Sequence, residues 1–140
     1  MPALKTRYSP APKLQDEKIT INLGYVDLGQ IDLLVQEGFY ANRSDLIRTA
    51  VRNQIAAHAE AVKQAVARKT LVLGIQHFSA ADLQAVQAAG QTLQLRVLGL
   101  LSMSPDVTPE LALATIESVV VLGALHASPA VKAALASRIR

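Results

Sequence analysis

The 140-residue chain predicts an α+β N-terminal unit of one strand and two helices, completed by a second copy of itself. To this it joins an α/β C-terminal region of three strand–helix repeats, arranged as a small parallel layer or solenoid. Three observations carry this reading. EKITINLG, Glu17 to Gly24, alternates polar and apolar residues but has no second strand within hairpin reach. Two short amphipathic helical patterns follow it. Then VLGIQHFSA, VLGLLSMSP and VLGALHASP, beginning at Val72, Val97 and Val121, align without gaps.

Composition narrows the classes. About half of the residues are apolar and 18% are charged, which argues against a disordered tail. The longest apolar runs are about half of the ~20 residues a membrane helix needs, and no secretory signal is expected. Cys is absent, so disulfides and thiolate metal sites are excluded and a cytoplasmic protein is the expectation. Up to Lys69 there are ten Lys and Arg against seven Asp and Glu; beyond it, four face four. The opening MPALKTRYSPAPK holds three prolines and Lys5, Arg7 and Lys13 without an acid. Residues 1–16 are therefore expected to form a flexible basic arm. A mildly basic first half suits a polyanion partner.

In the strand, Ile19, Ile21 and Leu23 share one face, and Lys18, Thr20 and Asn22 the other. In VDLGQIDLLVQEGF, Asp27 and Gln30 suggest a capping box, and Leu28, Ile31, Leu34 and Val35 recur at helical spacing. Gly38 suits a left-handed C-terminal cap. In ANRSDLIRTAVRNQIAAH, Asn42 or Ser44 can cap a second helix, with Asp45 in its first turn. Leu46, Ile47, Ala50, Val51 and Ile55 form its apolar stripe, flanked by Arg48 and Arg52. Residues 59–69 read as a helical linker. Some forty residues, 17–58, rarely bury enough surface to fold alone. Two copies pairing their strands antiparallel about a two-fold axis would supply both the ladder and the core.

KITINL, the DLGQIDLLVQEG helix and ANRSDLIRTAV resemble the ribbon-helix-helix (MetJ/Arc/CopG-like) DNA-binding proteins. Within that group, Lys18 to His58 is most similar to the N-terminal domain of the nickel-responsive repressor. The resemblance implies an intertwined homodimer whose paired strands lie in the major groove of double-stranded DNA. It places base contacts at Lys18, Thr20 and Asn22. Lys donates to guanine acceptors, Asn binds adenine in bidentate fashion, and Thr meets several edges. It also places phosphate contacts at Asn42, Arg43 and Ser44, where a helix start offers free N–H groups. Lys5, Arg7, Lys13 and Arg48 are additional candidates. The bland alternatives are a solvated strand face and simple helix capping.

In residues 70–140, each VLG strand leads into a Ser followed by Ala or Pro, then a helical pattern. Ser79, Thr108 and Ser128 are the expected caps, with Pro109 and Pro129 opening the second and third helices. The strands are apolar on both faces. If the helices alternate sides, the region is self-contained. If they share one side, the other face needs a partner, simplest as an identical sheet. The expected oligomer interface is Leu73, Ile75, Leu98, Leu100, Val120 and Leu122, joining dimers into tetramers or longer arrays. No cofactor or metal is expected. His77 and His126 fall two strand steps apart, ~10 Å, too far for one ion. No nucleophile elbow or paired-carboxylate site suggests an enzyme. The expected function is a sequence-specific transcriptional regulator, a repressor, associated with the nucleoid. The alternatives are an antitoxin of a toxin–antitoxin pair or a DNA-organising, plasmid-partition protein of low selectivity.

Overall fold

The computed structural model describes residues 16–140, so the basic-arm expectation, with Lys5, Arg7 and Lys13, lies outside the described residues. These fall into two compact units, 16–65 and 66–140. Among the described residues, six α-helices and a three-stranded parallel sheet make a mixed α+β structure.

In the first unit the expected strand is not a strand of the single chain. Residues 16–24 carry no regular secondary structure, because no segment among the described residues pairs with them. Helix α1 spans Tyr25–Gln36. It begins two residues before the expected Asp27 cap: Gly24 takes the N-cap position without a side-chain hydrogen bond, and Asp27 sits in the first turn instead. Its C-terminus follows expectation. Gly38 adopts φ +87, the N–H of Phe39 donates to Leu34 O at 3.0 Å, and that of Gly38 to Val35 O at 3.0 Å. These two bonds close a Schellman motif, which an L side chain at the left-handed position would strain. Helix α2 spans Arg43–Ala57, and after His58 helix α3 spans Ala59–Lys69.

No residue from 16 to 65 is buried. Ile19 is 78% exposed, Val51 50% and Ile55 59%. A unit with its apolar stripe in water lacks the favourable term that offsets chain entropy.

The second unit has its own core. Strand β1 (Val72–Phe78), β2 (Leu93–Met103) and β3 (Ile116–His126) pair in parallel in the order β1-β2-β3. Val72, Val97 and Val121 stand side by side, as do Gly74, Gly99 and Gly123. The middle row contains glycine for a steric reason. Gly99 and Gly123 have φ of +140 and +123, and a Cβ on either would overlap the carbonyl oxygen of the glycine on the preceding strand.

Helix α4 (Ala80–Ala88) follows β1, α5 (Pro109–Thr115) follows β2 and α6 (Pro129–Leu135) follows β3. Ser79 and Asp82 form a reciprocal capping box, at 3.2 and 2.9 Å. Thr108 and Ser128 cap their helices with Pro in the first turn, as the sequence suggests. All three helices lie on one side. Leu83, Leu111, Val131 and Leu135 pack with Leu95, Val97, Leu101 and Val119 in one cluster, and those strand residues share a single face. Alternating helices are thereby ruled out. On the opposite face Leu73 is 70% exposed, Ile75 47% and Leu122 49%. Leu98 and Val120 are half-buried, and Leu100 is already buried within the chain. At the outer edge of β3, Ile139 bridges Val119, and the Arg140 N–H donates to Val119 O at 2.9 Å.

Candidate nucleic-acid interface

The alternation of residues 17–24 sorts them in space. Ile19 and Ile21 line an open groove with Ile47 and Val51 of α2. Ser44, Arg48 and Arg52 border the same groove, as does Lys18. Thr20 and Asn22 are exposed and lie outside it. One set of side chains is therefore turned to the helix, while Thr20 and Asn22 keep their amide and hydroxyl free in water.

The start of α2 is built from its own cap. Asn42 Oδ1 accepts from the Asp45 N–H at 2.8 Å, and Asp45 Oδ2 accepts from the Ala41 N–H at 2.9 Å. Two backbone donors are thus satisfied by side chains. The N–H groups of Arg43 and Ser44, in the first helical turn, have no intrahelical acceptor and point out along the positive end of the helix dipole.

The Arg43 side chain has a partner that sequence reading missed. Its Nε donates to Asp32 Oδ1 at 2.8 Å and a terminal nitrogen donates to Asp32 Oδ2 at 2.8 Å. This fork-to-fork pair ties α1 to α2. Hydrogen bonding to the guanidinium holds the Asp32 carboxyl below its ordinary range and raises Arg43. Both side chains are more than half exposed, so the pair is a geometric tie more than a source of stability. Eleven residues and a turn separate the two positions, and no spacing rule links them.

The model of the Ribbon-Helix-Helix transcriptional regulator family matches residues 14–132. The chain belongs to that family. No curated protein and no solved structure matches it. The match runs from the alternating segment through both helices and across all three parallel strands. It thus takes in the C-terminal region, for which the residues themselves suggested no relative. A ribbon-helix-helix regulator binds DNA, and members of the family typically dimerise. The family is one of transcriptional regulators and not an enzyme class.

The other expected residues are distributed as follows. Arg48 borders the groove beside Ile47. Leu73, Ile75, Leu98, Leu100, Val120 and Leu122 share the sheet face without helices. His77, Ser102 and His126 occupy one row of that face at its C-terminal end. Among the described residues, no three His, Asp or Glu side chains cluster as metal ligands. No helix among them is long and apolar enough to cross a membrane.

Proposed function

We propose that the protein is a sequence-specific DNA-binding transcriptional repressor working as an intertwined dimer. Two copies of residues 17–24 pair antiparallel into a ribbon that enters the major groove, where Lys18, Thr20 and Asn22 read base edges. Backbone N–H groups at Arg43 and Ser44, beside the Asn42 cap, hold a phosphate on each side. Arg48 and the arm residues Lys5, Arg7 and Lys13 add sequence-independent phosphate contacts.

One observation carries this reading: residues 16–65 bury nothing alone, yet they present an alternating segment and two helices with apolar stripes. A second copy supplies at once the missing ladder partner and the missing core. On the segment, Thr20 and Asn22 stay outside the groove and carry base-reading chemistry, with Lys18 at its border.

The C-terminal sheet joins dimers into tetramers or larger arrays. Its helix-free face is an apolar band bordered by polar residues, Gln94, Arg96 and Ser118 at one end and His77, Ser102 and His126 at the other. An apolar centre with a polar rim is the anatomy of a protein interface. The partner in this reading is the same sheet face of another dimer. Assembly holds several half-sites together and raises avidity.

The test is DNA binding at physiological salt with the full chain. The protein should prefer an operator near its own gene over random duplex by about 10³-fold or more. Equal affinity for any duplex would replace the repressor with a DNA-organising or partition protein. Neutralisation of a neighbouring toxin would make it an antitoxin. Replacing Lys18, Thr20 and Asn22 together with Ala should abolish the preference and leave the dimer intact. Unfolding of that variant would mean that these residues belong to the buried face.

A further inference from the structure

The row His77, Ser102 and His126 ends the three parallel strands, and the loops that follow close a groove around it. The groove holds about 450 Å³ and is lined by His77, Ser102, Ser104, His126 and Ser128, with Met103, Pro105 and Ala127. Its lining contains no Asp, Glu, Lys or Arg. The carboxyl ends of parallel strands are where open α/β sheets bind their ligands.

The hydrogen bonds at this rim determine what the groove can offer. His77 Nδ1 lies 3.0 Å from Ser102 Oγ, and its Nε2 lies 3.3 Å from Ser104 Oγ. Both ring nitrogens are therefore engaged, which leaves neither for a metal. A neutral imidazole donates through one nitrogen and accepts through the other. With the ring proton on Nε2, Ser104 Oγ accepts from the imidazole and retains its own proton to give away. Ser128 Oγ accepts from the Val131 N–H at 3.2 Å, so its hydroxyl proton is also free. The His126 ring adds a further donor, and no carboxylate among the lining residues competes for these groups.

We propose that this groove binds a small oxyanion, a carboxylate or a phosphoryl group, through the His126 ring and the hydroxyls of Ser104 and Ser128, with His77 orienting Ser104. Such ligands are pure acceptors, and their charge strengthens each hydrogen bond they receive. The groove shares its sheet face with Leu73 and Leu122, so its occupant would sit at the border of the proposed assembly surface. Binding at this rim does not depend on the DNA reading, and its failure would leave that reading standing.

The measurement is a titration of the full chain, labelled with ¹⁵N at histidine, against inorganic phosphate and, separately, succinate. His58, on the first unit, serves as the internal reference. His77 and His126 resonances should shift saturably at millimolar concentration of one probe while His58 stays still. Response to phosphate alone identifies a phosphoryl ligand, and response to succinate alone a carboxylate. Ser104→Ala and His126→Gln should each weaken binding about tenfold, ~1.4 kcal/mol, with the His77 signal still dispersed as in a folded chain. The proposal is overturned by no saturable shift with either probe, by a parallel shift of His58, or by unchanged affinity in both variants.

Discussion

Asp32 and Arg43 show how one side chain can be claimed from two directions. The sequence marks Arg43 as a cation at a helix start, suited to a phosphate, and in the folded chain its guanidinium is held by Asp32. In the proposed DNA complex, phosphate contact at this position would fall to the backbone N–H, since the guanidinium is tied to Asp32 of α1. Because the Asp32 carboxyl is lowered in the folded state, its pairing contributes fully above the ordinary aspartate range. That contribution fades as pH falls through the lowered value. Asp32→Asn should flatten the acid limb of the stability curve, measured by denaturant melts across pH. An unchanged limb would mean that the pair contributes nothing in solution. Gly99 makes the sharper test. A methyl there meets both a carbonyl oxygen and a backbone at φ +140, so Gly99→Ala should cost about 4 kcal/mol, strain and overpacking together, in chemical denaturation. The recurring VLG was legible in the sequence; why its third residue is glycine was not, because the reason lies on the neighbouring strand.

Among the elements, those with local signals were the ones the sequence could place. The caps at Ser79, Thr108 and Ser128 and the glycine end of α1 are contained within a few residues, and the chain forms them. The start of α1 was misread because Asp27 and Gln30 imitate a capping box two residues inside a helix that opens on Gly24 without a side-chain cap. Residues 17–24 show the opposite limit: their alternation is unmistakable, but a ladder needs a second strand, and the described residues of the single chain pair none with them. For α2, the sequence offered Asn42 and Ser44 as caps, and Asn42 takes the role. Asn42→Ala should lower stability by about 1 kcal/mol and weaken DNA binding uniformly across sequences. A change in sequence preference would instead give Asn42 a base contact.

For the whole molecule, the contrast between the units is the main fact: residues 16–65 hold no buried side chain, while 66–140 close around a continuous apolar cluster. The α/β character of the second unit was legible because each repeat carries its own turn chemistry. The side on which its helices lie was not, since strands apolar on both faces suit either arrangement. The structure puts all three on one side and leaves Leu73 and Leu122 in water. Full-length protein should accordingly exceed the mass of a dimer in light scattering, and Leu73→Glu with Leu122→Glu should reduce it to one while operator binding persists with lower avidity. A wild-type mass equal to a dimer would remove the assembly role. The glycine row has a further consequence, for how such a chain can change length. Sliding β2 or β3 by one residue would bring Leu or Ala side chains against the carbonyls that only glycine clears. Each neighbouring pair of strands is thus locked at one position, Gly99 against β1 and Gly123 against β2. Residues gained or lost during the history of such a sequence are then tolerated in the helices and turns between the locks, and a shift within a strand must be undone by an equal shift before its glycine.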